Sequence, residues 1–587
     1  MNNEFFGGRF FPSKTNSKIN SKKRFKGLAW ALGSIIACAS SLMPAAAGDK
    51  SNNGYREFNL LAINDIYNIE GIDARQSGGF DRFRELRKQL SSPGNEVLVL
   101  HAGDFLFPSS MSSQFKAEQM IDVMNYVDGE PDKFDERFFV VFGNHEFDKG
   151  KMKDAPMLAK RIEESDFYWL GTNIDFKPQA KLPSEDFKKS LINNKILVIN
   201  GIKVGIFGVT TDISIPAYAS IDNRYVQIAK RQTADLRARG AEVVLAVTHL
   251  KMSEDVDLLK QLGDDGPDAI FGGHEHNRQS DCAGKRCVVK ADADLRSAAV
   301  AKVSVAPDGT VDVTHRFAIL DETTIVRDQL VLNRTNQWLE RYQQEYCDSK
   351  KLPSGCLTEV FGKTAVRLIA EELEIRRFET NLGAYVADQM IRAFDDIKLP
   401  GGRKVQAALI NSGSLRLNQN IPAGSELNQW YLNGIFQYPV DLRVLEINGK
   451  ILKQMIAHTT KDWTGNGWWL QVSGMAYRHD SKNAKGTDIS LLDENGKATL
   501  VKDDDTIVVV VNDYMADGSR SNQDGYTMLN LEQNVPYGNG ELIDLKQVVI
   551  DAIKVKWATG EGIAPKLPGR VCNNARPELY CVLDEQK

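Results

Sequence analysis

The sequence predicts an α/β protein of two domains, and three observations carry that prediction. From about Arg56 to Leu320, continuous apolar runs rich in β-branched residues alternate with longer amphipathic stretches. That is the pattern of strands buried on both faces with helices between them. A polar helical stretch, Arg327–Tyr346, then intervenes, and from about Phe361 a mixed set of one helix, several strands and Gly/Asn/Asp turns begins. Finally, at roughly 150 residues per domain, the 587 residues are enough for two to four domains. With 42% hydrophobic and 26% charged residues, the composition is ordinary for globular proteins. Wholesale disorder, a collagen-like fibre and a multi-span membrane protein are excluded. No internal repeat or low-complexity tract is present. The net charge of −5 gives no general basic field, so no nucleic-acid polymer is expected as a partner.

The N-terminus reads as an address. Lys22, Lys23, Arg24 and Lys26 precede an apolar run from Gly27 to Ala37, and Ala45-Ala46-Ala47 forms a small-residue cleavage site before Gly48. This is the layout of a secretory signal peptide, predicting a periplasmic or secreted protein with no transmembrane span in the mature chain. An alternative reading uses Ile35-Ile36-Ala37-Cys38, which resembles a bacterial lipobox and would make Cys38 a lipid anchor. Residues 1–47 carry seven basic residues and one acid, so the remainder holds 66 basic and 77 acidic residues, a net charge of −11. It also holds six cysteines in three close pairs, Cys282 with Cys287, Cys347 with Cys356 and Cys572 with Cys581. An even number, locally paired, in an exported chain predicts three small-loop disulfides.

The strands expected in order are Phe58–Ile63, Val97–Leu100, Phe138–Phe142, Val204–Val209, Val243–Val247 and Ala269–Phe271, with helices such as Phe80–Leu90 and Ala229–Arg239 between them. The residues just past these strands are informative. Asn64-Asp65-Ile66-Tyr67 succeeds the first, His101-Ala-Gly-Asp104 the second, and Gly143-Asn144-His145-Glu146-Phe147-Asp148 the third. Thr248-His249 and Gly272-Gly273-His274-Glu275-His276 succeed the last two. Ligand sites in α/β sheets form beyond the carboxyl ends of strands, so these residues are expected to converge. Any one histidine is ordinarily a hydrogen-bonded core or surface residue; an ordered set of five is not. Oxygen and imidazole donors without sulfur suit Zn, Mn or Fe in a two-metal hydrolytic site. Glycines in these turns let the backbone pass close to the ions.

This ordered set resembles the calcineurin-like metallophosphatases. Gly143–Asp148 and Gly272–His276 look like the 5′-nucleotidase / UDP-sugar hydrolase branch, over about residues 56 to 565. The resemblance implies a layered two-sheet αββα domain followed by a smaller mixed α/β substrate-binding domain. It implies one divalent ion held by Asp65, Asp104 and His276 and a second held by Asp104, Asn144, His249 and His274. His145, oriented by Asp148, would be catalytic, stabilising or protonating the leaving alkoxide. The family's first motif is usually Asp-x-His, and here it is Asp65-Ile66-Tyr67. Tyr67 therefore coordinates as a phenolate, hydrogen-bonds to a metal-bound water, or points away; the middle case is favoured, since a phenol with pKa about 10 is a poor neutral-pH ligand.

In the same family the C-terminal domain binds the nucleoside, and three segments match. They are Arg376-Arg377-Phe-Glu-Thr-Asn-Leu-Gly383, Asn411-Ser-Gly413-Ser414-Leu-Arg416, and Asn512-Asp-Tyr514 with Asp524-Gly-Tyr526 beyond it. The implied substrate-binding residues are Arg376, Asn411, Gly413, Arg416, Tyr438, Tyr514 and Asp524. Arginines offer planar forks to phosphate oxygens, and two aromatics can sandwich a base. Ser414 stands for a Gly and Val440 for an Asn, and extra residues within Ser519–Gln523 separate Tyr514 from Asp524. The expected division is 1–47 signal peptide, 48–325 metallophosphatase domain, 326–365 linker helix region, 366–565 substrate-binding domain and 566–587 disulfide-closed tail, with hinge motion near Arg327–Lys363. The expected function is an exported hydrolase of nucleoside 5′-monophosphates. The alternatives are a nucleotide-sugar or cyclic-nucleotide hydrolase, and a nucleotide-binding protein whose first metal site is impaired by Tyr67.

Overall fold

The computed structural model describes residues 54–93, 97–180, 189–463, 465–518 and 524–585. The predicted signal peptide, Cys38 and the segment Ser519–Gln523 lie outside the described residues. Among the described residues, no helix is long and apolar enough to cross a membrane.

The N-terminal half is built on two sheets. In the first, Arg56–Ile63 lies between an antiparallel strand, Ser297–Val305, and the parallel strand Leu98–His101, and Phe138–Val141 and Tyr168–Leu170 continue the parallel order. In the second, Ala269–Gly272, Val243–His249 and Ile202–Thr210 run parallel, flanked by hairpin strands at both edges. Leu100, Phe139 and Val141 of the first sheet share one core with Ile206, Leu245 and Phe271 of the second. The residues between them point the other way. Leu61, Val99 and Val140 pack with Phe83 and Leu86 of helix Phe80–Leu90. Val244, Ala246 and Ile270 pack with Ile228 and Leu259 of helices Tyr225–Ala238 and Met252–Leu262. This is the layered two-sheet αββα arrangement, and it explains why these strands read as unbroken apolar runs: both faces are covered. Truncating Phe139, buried between the sheets, costs about 3–5 kcal/mol by the usual cavity penalty.

Two predicted helices shift by a few residues, for local reasons, and a third takes its start from a cap. The interdomain helix runs Gln329–Ser349 because the Asp328 side chain caps it, accepting from the Leu330 and Val331 amides. Val331, Trp338 and Tyr342 on this helix join the same core as helix Phe80–Leu90, so it packs on the N-terminal layers. Thr380 caps Asn381–Arg392 in the same way, through the Gly383 amide. Helix Tyr225–Ala238 starts one turn before the predicted Ala229.

The C-terminal half holds two four-stranded sheets. One orders Leu442–Asn448, Thr506–Asn512, Ala407–Asn411 and Leu470–Ser473; the other takes in Met475–Asp480 and, at its edge, Val571–Asn573 from the tail.

All three predicted cysteine pairs are bonded: Cys282 to Cys287, Cys347 to Cys356 and Cys572 to Cys581. The first joins directly opposed residues of a hairpin. The second ties the end of the interdomain helix to the turn that follows it. Cys347 lies in the last turn of Gln329–Ser349, but Cys356 lies beyond the helix end, in a turn, so the region 326–365 is helical only as far as Ser349. Both sulfurs belong to buried residues of the N-terminal core, with Leu357 beside them. Cys356 is therefore a buried clamp that folds the chain back against the helix. The helix stops where Pro353 and Gly355 make its continuation unfavourable.

Candidate active site

The carboxyl ends of five parallel strands, three from the first sheet and two from the second, deliver Asp65, Asp104, Asn144/His145, His249 and His274/His276 to one place. Asp65, Asp104 and His249 are fully buried and offer ligand atoms all within 4.8 Å of one another. Asp65, Asp104, His274 and His276 all have left-handed backbones, with φ of 52°, 59°, 90° and 61°. Such conformations cost of order 1–3 kcal/mol each and persist where the surroundings impose them, commonly at functional sites. The turns also need their glycines. A Cβ on Gly143 would sit 2.1 Å from Asp104 Oδ1, and one on Gly273 would sit 2.9 Å from Asp65 Oδ2.

The polar atoms left over define what fits. His249 Nδ1 donates to the Ala102 carbonyl at 2.6 Å, which turns Nε2 toward Asp104 Oδ2 at 3.1 Å. Burial by itself lowers the His249 imidazole, but Asp104 and Asp65 outweigh it and raise it to about 9. Burial and the neighbouring His249 push His274 down to about 3, so its ring is neutral and free to ligate. Asn144 Oδ1 is buried without a hydrogen-bond partner, while His249 Nε2 and Asp65 Oδ1, equally buried, face only Asp104 Oδ2 and His276 Nε2, members of the same set. Carboxylate, amide oxygen and imidazole converging on one buried place, with few partners besides one another, fit divalent cations.

His145 lies at the rim. Its amide donates to Asp104 Oδ1 at 2.7 Å and its Nδ1 pairs with Asp148 Oδ1 at 3.0 Å. Burial lowers this imidazole, but Asp104 and Asp148 raise it above 6.5 on balance. His101 stays out of the set: it is buried against Phe105, and its Nδ1 accepts from the Gly103 amide.

Tyr67 points into the site. Its hydroxyl lies 3.0 Å from His276 Nε2, and its amide donates to Asp294 Oδ1 at 2.8 Å. Burial and the carboxylates of Asp104 and Asp65 hold the phenol well above 10.

Four residues that sequence reasoning passed over organise this set. Glu146, inside the Gly143–Asp148 motif, accepts from the amides of Gly143, Asp104, Phe105 and Leu106. Asn64 bonds Asp65 Oδ2 at 2.8 Å. Asp294 clamps the amides of Tyr67 and Asn68. Glu372, from the C-terminal half, reaches His276 Nδ1 at 2.6 Å. Position within a motif could have flagged Glu146 and Asn64; nothing local marks the other two.

Of the C-terminal residues expected to bind substrate, Arg376 and Arg416 lie beside Glu372 and Tyr67. Arg376 is largely buried, ion-paired with Glu372, and within electrostatic reach of Arg416, Tyr67 and Asp524. Arg416 bonds the Gly413 carbonyl at 2.8 Å and lies 5.6 Å from the ring of Tyr438, which is 54% exposed. Asn411 donates to Asp524 Oδ2 at 2.6 Å and accepts from Ser414 and Asn512, so the Ser that replaces Gly is a working member of that network. Tyr514 is half-buried against the C-terminal core.

Residues 58–278 match the calcineurin-like phosphoesterase family, and residues 360–530 match the 5′-nucleotidase C-terminal domain. The chain belongs to the 5′-nucleotidase family of metallophosphoesterases. Its similarity to the trifunctional nucleotide phosphoesterase YfkN of Bacillus subtilis is 24% identity over 89% of this chain but only 35% of that protein, so it spans about a third of that relative's length. An apyrase of Anopheles gambiae is 23% identical over 67% of this chain and 70% of its own. The crystal structure of a 5′-nucleotidase precursor from Thermus thermophilus superposes with a TM-score of 0.63 at 21% identity, covering 88% of this chain and 99% of that one, which bears on the fold.

Proposed function

We propose that this family member is an exported phosphohydrolase of nucleoside 5′-monophosphates. The observation that carries the reading is the meeting of two sets: converging buried carboxylate, amide and imidazole donors at the strand ends, and Arg376, Arg416 and Asp524 from the C-terminal half beside them. Asp65, Asp104 and His276 would hold one divalent cation, and Asp104, Asn144, His249 and His274 a second, with Asp104 shared. Bound cations supply Lewis acidity, neutralising phosphoryl charge and lowering the pKa of water. Arg376 and Arg416 would orient the phosphate with their guanidinium forks. Tyr438 and Tyr514 would flank the base, and Asp524 would accept from the ribose hydroxyls with the capacity that Asn411 leaves. His145, its Nδ1 fixed by Asp148, would protonate the departing alkoxide. On this reading residues 48–325 do the chemistry and 366–565 hold the nucleoside.

The apyrase relative favours a second reading, hydrolysis of nucleoside di- and triphosphates by the same residues. Export is supported by the signal-like N-terminal segment and by three local disulfides, which persist in oxidising compartments. The test is phosphate release from purified protein reconstituted with Mn²⁺ or Zn²⁺. The panel holds nucleoside mono-, di- and triphosphates, a UDP-sugar and a 2′,3′-cyclic nucleotide. The 5′-monophosphates are expected to give the highest kcat/KM, and a chelator to abolish turnover. Because cleavage of the UDP-sugar or the cyclic nucleotide leaves the phosphate esterified, products are also separated by chromatography, and turnover of none of the panel would sink the enzymatic reading.

A further inference from the structure

Glu372 opens the short helix Glu372–Ile375, inside the segment matched by the 5′-nucleotidase C-terminal domain. Its side chain nevertheless ends at the metallophosphoesterase site, 10% exposed, and its two oxygens are divided. Oε2 lies 2.6 Å from His276 Nδ1, and Oε1 is ion-paired with Arg376, one helical turn further on. With Nδ1 engaged, His276 turns Nε2 toward Asp65 Oδ1 at 3.3 Å and the Tyr67 hydroxyl at 3.0 Å. Neighbouring contacts run along the same seam. The Asp73 amide donates to Gln419 Oε1 at 2.7 Å, and the Asn420 amide donates to Asp73 Oδ1 at 2.9 Å.

We propose that Glu372 is a positioning residue through which the C-terminal half sets the cation affinity of the N-terminal half. The proposal rests on the reading of His276 as a cation ligand. A carboxylate on the far nitrogen of a ligating imidazole fixes its tautomer and ring orientation and raises its basicity. Here the carboxylate is not supplied by the sheets that build the site. It arrives from the other half of the chain, and it also grips the arginine assigned to the phosphate. At the proposed first site Tyr67 contributes a hydroxyl, so His276 is the sole imidazole among the assigned ligands and its orientation matters more. A ligand that engages Arg376 fixes the Glu372–Arg376 pair and so holds Glu372 against His276. Cation binding and nucleotide binding are then linked through this one carboxylate, and each tightens the other by the same factor.

The experiment is Mn²⁺ titration of the metal-stripped full chain by calorimetry, with and without a non-hydrolysable nucleoside 5′-phosphonate. Wild type is compared with Glu372→Gln and His276→Ala. Glu372→Gln is expected to weaken one of two Mn²⁺ ions about 10–100-fold and spare the other. The phosphonate is expected to tighten that same ion in wild type and not in Glu372→Gln. A general loss of structure would weaken both ions instead. If Glu372→Gln fails to fold, Glu372→Asp keeps the charge, withdraws the oxygen by one methylene and gives the same readout. If His276→Ala keeps both ions at wild-type affinity, the ligand reading itself is wrong. If His276→Ala loses one ion while Glu372→Gln holds both as tightly as wild type, the coupling proposal alone is overturned.

Discussion

Replacing Glu146 with Gln tests whether two of the three turns that carry the site on the first sheet depend on one buried carboxylate. Glu146 is 0% exposed and accepts four backbone amides, from Gly143 at 2.6 Å and Asp104 at 2.9 Å on Oε2, and from Phe105 at 2.8 Å and Leu106 at 3.0 Å on Oε1. Glutamine has almost the same shape but a single acceptor oxygen. Two of the four amides would then face an NH₂ group. Each buried donor left without an acceptor costs about 1–3 kcal/mol, so the substitution is expected to cost about 2–6 kcal/mol, nearer the lower end if the turns relax. At about 2–4 °C per kcal/mol for a domain of this size, a cost near 3 kcal/mol lowers Tm by about 6–12 °C. The same turns position Asp104 and Asn144, so Mn²⁺ affinity is expected to fall with stability. Thermal unfolding of the metal-free protein and calorimetric titration of Mn²⁺ are the assays. A Tm within about 2 °C of wild type, together with unchanged Mn²⁺ binding, would refute the idea that this carboxylate holds the turns.

Three further outcomes are expected. Tyr67→His, which introduces the imidazole usual in the family, is expected to bind the more weakly held cation tighter than wild type, whereas Tyr67→Phe, losing only the hydroxyl bonded to His276, is expected to shift the pH–rate profile with cation stoichiometry intact; identical titrations and profiles for all three proteins would remove Tyr67 from the mechanism. His145→Ala is expected to keep both cations and slow turnover by about 10²–10⁴-fold, the range for a general acid, and full activity on an ester with a poor leaving group would exclude that role. Glu379 is buried, which pushes its carboxyl up from 4.5 to about 7 despite the nearby Arg570. The folded pKa is the higher one, so this group's contribution to stability is complete below about 4.5 and is lost as pH rises through about 7, on the order of 3 kcal/mol in all. Denaturant unfolding at pH 5 and pH 8 is expected to show that loss in wild type and a flatter dependence in Glu379→Gln, and parallel curves would disprove it.

Much of the candidate site was legible before any tertiary structure. The reason lies in the architecture. Parallel strands covered on both faces must be apolar throughout, so each polar residue at a strand's carboxyl end stands out against the run before it. Asp65, Asp104, Asn144, His249 and His274 were visible in that way, as were the glycines that let neighbouring turns approach. The three cysteine pairs were visible because their loops are short, although the burial of Cys347 and Cys356 in the N-terminal core was not. Element boundaries were less legible: capping by Asp328 and Thr380 set two helix starts, while the first turn of helix Tyr225–Ala238 carried little apolar signal.

Other features depended on residues far apart in the chain. Glu372 follows Glu371 and precedes Glu374, so by sequence it belongs to a solvated acidic turn; only the packing of the two halves brings it to His276, 96 positions away. Asp294 reaches the Tyr67 amide across 227 positions, and no local pattern marks it. The direction of the Tyr67 ring was likewise open, because a side chain's rotamer at a turn is set by what packs around it. The sequence by itself determined which residues end each strand and what chemistry they can do. Only the tertiary structure decided which carboxylate serves which imidazole, because those pairings are set by the stacking of sheets and the seating of one half on the other, not by spacing along the chain.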